Sequence, residues 1–129
     1  MVSSATRFIA RLASATDAGQ RFQLTTDGLK AYLYPVGNIL GDRVDSSQLI
    51  KVYAYSEPEA QRRYSPPDCV EVIRTPVYGN PDPDRICTSH IERQNGTLRQ
   101  WCKRLTRLTY AFSKKWSHHR AALAFHFAY

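Results

Sequence analysis

The last third of the chain combines a helical repeat of apolar residues with charge of a single sign. After a first step of seven positions, large apolar residues recur at alternating steps of three and four, which is the spacing of an amphipathic helix. They are Ile91, Leu98, Trp101, Leu105, Leu108 and Phe112. We predict one long helix whose apolar seam packs on the sheet, and this places Trp101 in the core rather than in a base-stacking role.

Charge is distributed very unevenly along the sequence. Residues 93–129 carry eight basic residues and no Asp or Glu, whereas residues 1–92 carry ten basic and eleven acidic residues. Such a segment is either a solvated face or a surface for a polyanion, and the missing acids favour nucleic acid. Charge alone does not exclude an anionic membrane surface. The residues predicted to contact DNA phosphates are Arg93, Arg99, Lys103, Arg104, Arg107, Lys114 and Lys115.

Composition indicates one compact domain spanning residues 1–129, because this length and a hydrophobic fraction of 43% suffice for a single core. Cys69, Cys87 and Cys102 are an odd set without CxxC spacing, so neither a disulfide framework nor a zinc ribbon is indicated. No segment has the apolar length of a membrane span. We therefore expect a cytoplasmic protein without a membrane partner.

The first forty residues alternate helical and extended patterns. Ala5 to Ser14 predicts a short amphipathic helix with Phe8, Ile9 and Leu12 on one side. Arg21 to Thr25 alternates apolar and polar residues and predicts a strand, and Leu29 to about Ile39 predicts a second helix.

The secondary structure of the middle of the chain is less clearly indicated by its sequence. Leu49 to Tyr55 suits a strand, although Ser46 to Val52 is equally compatible with a helix. Val70 to Ile73 predicts a second core strand that ends at Thr75-Pro76. This order predicts an α/β fold with a parallel pair of short strands, flanking helices and the long basic C-terminal helix. Two parallel strands are rarely stable alone, so further strands are expected, and this chain hardly supplies them.

Two acids stand at positions suited to chemistry. Asp27 follows the first predicted strand and precedes a glycine, which places it where ligands bind in open α/β sheets unless it only forms an Asp-Gly turn. Glu92 lies in the first turn of the basic helix. The alternative is an ordinary helix-start acid, whose charge interacts favourably with the helix dipole. If the two carboxylates converge, their oxygen atoms suit magnesium.

Several segments, in order, resemble the catalytic half of small bacterial insertion-sequence transposases, closest to the first-described insertion-sequence family. They are Leu24-Thr25-Thr26-Asp27-Gly28, Gly79-Asn80-Pro81-Asp82-Pro83, Thr88-Ser89-His90-Ile91-Glu92-Arg93-Gln94-Asn95, Arg104-Leu105-Thr106-Arg107-Leu108-Thr109 and Ala111-Phe112-Ser113-Lys114-Lys115. The resemblance covers nearly the whole chain.

The resemblance implies a DDE enzyme on a ribonuclease-H-like fold, in which two aspartates and a glutamate hold two magnesium ions. Asp27 matches the second aspartate and Glu92 matches the glutamate, so both are implied to be catalytic metal ligands. The implied reaction is cleavage of a DNA strand followed by strand transfer, without a covalent protein intermediate.

One part of the family pattern has no counterpart. The first aspartate is expected upstream of the Ala5 to Ser14 helix, and Asp17 is a poor substitute because it lies in the break after that helix. We therefore expect an N-terminally truncated catalytic domain that is inactive, or nearly so, by itself. An exposed hydrophobic sheet edge would favour self-association. The alternative function is a non-catalytic DNA-binding remnant, which dimerises with or inhibits an intact transposase.

Overall fold

A computed structural model describes residues 3–54, 67–106 and 108–129. The chain divides into an N-terminal unit, residues 1–88, and a C-terminal unit, residues 89–129. The described part of the chain is mixed α/β, with four helices and a three-stranded sheet. The predicted α/β class is therefore confirmed.

The first helix, α1, spans Ser4–Ala15. It begins at an N-cap, because the Oγ atom of Ser3 accepts a hydrogen bond of 3.1 Å from the backbone N–H of Thr6. Ile9 is 0% exposed on this helix, whereas Phe8 is 57% exposed. The predicted helix is confirmed, and Ile9 rather than Phe8 is the residue that anchors it.

The sheet contains β1 (Phe22–Thr26), β2 (Val44–Ala54) and β3 (Asp68–Tyr78), in that spatial order. β1 and β2 are parallel, whereas β2 and β3 are antiparallel. The extended alternative for Leu49 to Tyr55 is confirmed, since β2 runs through Ala54 and Tyr55 lies outside the described residues. The antiparallel strand supplies the additional pairing that the parallel pair requires.

The predicted strand at Val70 to Ile73 is confirmed, but its predicted place in the core is wrong. β3 is an edge strand, and nearly all of its residues are exposed. It also continues through Pro76, where the sequence predicted its end. An edge strand tolerates proline because only one side of the strand is hydrogen-bonded, and the pairing register shifts beside this residue.

A helical segment connects β1 to β2. It consists of a 3-10 turn (Lys30–Tyr32), the short helix α2 (Leu33–Pro35) and a π-helical turn (Val36–Leu40). The predicted helix from Leu29 to Ile39 is thus confirmed in position but is not a regular α-helix. Pro35 lacks a backbone N–H, so one hydrogen bond of a regular α-helix is missing within this segment.

The N-terminal unit has its core between this segment, α1 and the parallel strands. Four buried residues form one cluster: Ile9, Val36, Leu40 and Val44. Leu12, Phe22 and Leu24 pack against the cluster and are partly buried. The two helical elements are thereby fixed against one end of the parallel pair.

The C-terminal unit contains α3 (Ser89–Trp101), a 3-10 turn (Lys103–Leu105) and α4 (Trp116–Ala128). The predicted continuous helix through Phe112 is wrong. The hydroxyl of Thr106 donates a hydrogen bond of 2.8 Å to the carbonyl of Arg99 in the last turn of α3, where carbonyl groups lack helical partners. Cys102 then takes an extended conformation. None of the helices in the described residues is long and apolar enough to cross a membrane.

We predict that Ile9→Ala destabilises the N-terminal unit by about 2–5 kcal/mol, because it opens a cavity in a small core. The matched control is Phe8→Ala, which should cost much less since more than half of that side chain is exposed. Urea titration of both variants followed by circular dichroism measures the difference. Equal losses would contradict the assignment of Ile9 as the anchor of α1.

Candidate functional site

Asp27 directly follows β1 and is exposed. Its Oδ1 atom accepts a hydrogen bond of 3.2 Å from the backbone N–H of Leu29, which closes an Asx-type turn. Asp27 therefore forms the local turn suggested by its Asp-Gly sequence. It also lies at the carboxyl end of one strand of a parallel pair, where open α/β sheets bind ligands.

Gly28 allows this turn to lie close to the central strand. A Cβ atom at Gly28 would lie 3.1 Å from Cγ1 of Ile50, which is tighter than ordinary van der Waals contact. Ile50 belongs to β2. The glycine after Asp27 thus has a packing role that the sequence did not reveal.

Asp45, which the sequence analysis missed, connects three segments of the N-terminal unit. Its Oδ1 atom accepts hydrogen bonds from Nη2 of Arg21 at 2.8 Å and from the backbone N–H of Asn80 at 3.1 Å. The segment Gly79-Asn80 is therefore held against the start of β2. No composition or spacing signal distinguishes Asp45, because its partners are 24 and 35 residues away.

Gln23 adds a second connection at the same edge of the sheet. Its Nε2 atom donates to the carbonyl of Asp82 at 3.0 Å, and its Oε1 atom accepts from the N–H of Asp82 at 2.9 Å. Gly79 has a φ of +68°, and a Cβ there would clash with the Asp45 carboxylate. The motif Gly79-Asn80-Pro81-Asp82-Pro83 is thus a docked segment.

Glu92 lies in the first turn of α3 and is exposed. Its position at the start of a helix is confirmed, and there its negative charge interacts favourably with the helix dipole. Asp27 belongs to the N-terminal unit and Glu92 to the C-terminal unit. Their convergence on one metal ion accordingly stays a prediction.

Asp17 lies in the turn between α1 and β1, as the sequence indicated. Its Oδ1 atom accepts the N–H of Gly19 at 3.0 Å, and its carbonyl accepts Nη2 of Arg43 at 2.6 Å. Asp17 therefore organises a turn.

The predicted DNA-contacting residues are spread over three parts of the C-terminal unit. Two lie on α3, two on the 3-10 turn and two just before α4: Arg93, Arg99, Lys103, Arg104, Lys114 and Lys115. All six are exposed. Arg107 lies outside the described residues. Because the long helix is broken, these cations do not follow one helical face.

The predicted core position of Trp101 is wrong. This side chain is 74% exposed, and Ile91, Leu108 and Phe112 of the same predicted seam are also exposed. The reason is the break after Trp101, which ends the helical phase that would have aligned these residues. The C-terminal unit therefore presents large apolar side chains at its surface.

Within the described ranges, no three His, Cys, Asp or Glu residues form a group that could hold a metal ion. Comparison of the chain with protein-family models, curated proteins and solved structures found no match. The resemblance to transposases consequently rests on the sequence motifs.

Asp45 provides a pH-dependent test of the docked segment. The amide of Asn80 first, and then the guanidinium of Arg21, hold the pKa of the Asp45 carboxyl below its ordinary value of 3.8 against an opposing effect of burial. Because the folded-state pKa is lowered, the stabilisation is present above pH 3.8 and is lost as pH falls through the lowered pKa.

We predict that the amide resonance of Asn80 titrates with a midpoint below 3.8 in an NMR pH series. Asp45→Asn should abolish this step because it removes the titrating group, whereas Asp42→Asn should leave it unchanged. A midpoint at or above 3.8 would contradict the assigned hydrogen bonds.

Proposed function

We propose that the chain is part of a DDE-type DNA transposase with a ribonuclease-H-like catalytic fold. In this proposal the C-terminal unit binds DNA phosphates. Asp27 and Glu92 are magnesium ligands that, in the intact family, serve strand cleavage and strand transfer, whereas this chain by itself is inactive or nearly so. The motif order along the chain supports this choice, as does the parallel pairing with β2 of β1, the strand that ends directly before Asp27.

The distribution of charge between the two units carries the proposal. Residues 1–88 contain ten basic and ten acidic residues, and residues 89–129 contain eight basic residues and the single acid Glu92. The whole net charge of +7 therefore belongs to the C-terminal unit. A surface of this kind attracts a polyanion and gains affinity by releasing its counterions.

The placement of the basic side chains supports phosphate contacts. The six described cations proposed to bind DNA are exposed, so phosphate groups can reach them at the protein surface. Arg104 is additionally oriented, since its Nη1 atom donates to Oγ of Ser113 at 3.1 Å. We expect these contacts to carry little sequence preference, because phosphates are the same at every base pair.

The two acids fit the chemistry of magnesium, which prefers carboxylate oxygens and completes its coordination with water and phosphate. Asp27 is exposed at a strand end, and its turn hydrogen bond engages Oδ1. Bound magnesium would neutralise charge on the scissile phosphate and supply Lewis acidity. The carboxylates of Asp27 and Glu92 would hold the ion, and the basic residues would hold the DNA strand.

We predict that binding to duplex DNA weakens steeply with salt. Removing two phosphate contacts by Lys114→Gln with Lys115→Gln should reduce the slope of log affinity against log salt by up to about 1.8. The matched control is Arg7→Gln with Arg11→Gln, which removes the same charge from exposed positions of α1. Fluorescence anisotropy with a labelled duplex measures both slopes.

Equal slope changes in the two double variants would indicate attraction by net charge alone and would reject the C-terminal unit as the binding surface. Binding that does not depend on salt would reject phosphate contact altogether. A tenfold preference for one arbitrary duplex sequence over another would also contradict it.

We also predict that Asp27 and Glu92 respond together to magnesium. Their carboxyl ¹³C resonances should shift with one saturating curve, and Asp27→Asn should weaken the response of Glu92. The carboxylate of Asp42, exposed in the turn before β2, serves as the control. Independent shifts that match Asp42 and do not saturate would contradict a shared site.

That last outcome, combined with salt-dependent DNA binding, would favour the non-catalytic alternative. The chain would then act as a DNA-binding remnant that associates with, or inhibits, an intact transposase. The exposed apolar residues of β3, including Val70 and Ile73, favour such association because unpaired strand edges recruit further strands.

A further inference from the structure

The C-terminal unit contains a wide groove between the end of α3, the 3-10 turn and α4. It has a volume of about 810 Å³, which lies within the range of small-molecule sites. Its aromatic lining residues are Trp101, Phe112, Phe125 and Tyr129. We call this feature the aromatic groove.

Large apolar side chains that line the aromatic groove are exposed. Trp101 and Phe125 are 74% and 71% exposed. A concentration of large apolar side chains at a surface marks a binding site for another molecule. Aromatic rings in an open groove offer flat faces on which a second ring can stack.

Positive charge at the edge of the groove favours an anionic ligand. Lys103 and Arg104 both line it, and no acid occurs in residues 93–129. The hydrogen bond from Arg104 to Ser113 holds one of these cations in place. An anion joined to a flat apolar ring satisfies both features at once, and a nucleotide has this composition.

We infer that the aromatic groove binds an unpaired base of single-stranded DNA. The base stacks on Trp101 and Phe125, and the phosphates on either side of it contact Lys103 and Arg104. This inference rests on the proposed DNA binding. It adds that the DNA bound at the groove is single-stranded. Bases inside a duplex are stacked between their neighbours, whereas an unpaired base offers its face to the groove.

The chain contains two tryptophans, Trp101 and Trp116. Trp116 lies outside the groove and stacks on His119 with ring centroids 5.4 Å apart. In the variant Trp116→Phe, fluorescence therefore reports on Trp101 alone. We expect an oligothymidine single strand to quench this fluorescence on saturation, whereas a blunt duplex of equal phosphate number should bind with little quenching.

Affinities are then compared in two further variants on the same background. Phe125→Ala should lower single-strand affinity on the order of tenfold, because a stacking face is lost, and should change duplex affinity less than twofold. Phe127→Ala is the matched control, since it is on α4 and 64% exposed but does not line the groove. Phe125→Leu keeps an apolar side chain without a flat ring and should behave like Phe125→Ala.

Equal losses at Phe125 and Phe127, or equal quenching by duplex and single strand, would overturn the groove inference. A blue shift of Trp101 emission with protein concentration in the absence of DNA would also overturn it, because the occupant would then be a second copy of the chain. Salt-dependent duplex binding without Trp101 quenching leaves the proposed function standing and removes only this inference. Absence of binding to either DNA removes both.

Discussion

The parallel pairing of β1 with β2 is the constraint on which the N-terminal unit depends. Parallel strands need a covered face, and α1 together with the Lys30–Leu40 segment supplies it by packing Ile9, Val36 and Leu40 against Val44 of β2. This core places the end of β1, and therefore Asp27, at an exposed sheet edge. The hydrogen bond from the docked segment at Asn80 to Asp45 lies at the opposite, amino end of the pair. The hydrogen bonds of Asp45 therefore lie at the amino end of the two strands, whereas Asp27 lies at the carboxyl end.

The two units differ in kind as well as in position along the chain. The N-terminal unit is neutral overall and has a buried cluster. The C-terminal unit carries the entire excess charge, and large apolar residues such as Trp101 and Phe125 are exposed in it. Contiguous large apolar side chains at a protein surface mark a site for another molecule. Binding of a nucleic acid would explain why the sequence combines these two properties in one segment.

Local patterns predicted the elements whose stability is mostly local. The amphipathic repeat around Ile9 predicted α1, and the alternation around Leu24 predicted β1. Prediction failed where contacts between distant residues decide the outcome. Nearly all residues of β3 are exposed, whereas those of β1, the other outer strand, are partly buried against the core cluster. α3 ends at Trp101, and the hydroxyl of Thr106, beyond that end, bonds to the carbonyl of Arg99. The helix α4 was missed, since its apolar residues lie all round it and give no amphipathic pattern.

The sequence by itself determined the charge asymmetry, the mixed α/β class and the position of Asp27 after a strand and Glu92 at a helix start. These are properties of order along the chain, which a linear pattern records directly. Only the tertiary structure decided that Asp45 joins Arg21 to Asn80 and that Trp101 faces solvent. Those outcomes depend on which residues distant in sequence come into contact. Hydrogen bonds and burial between such residues produce no repeating pattern in the sequence.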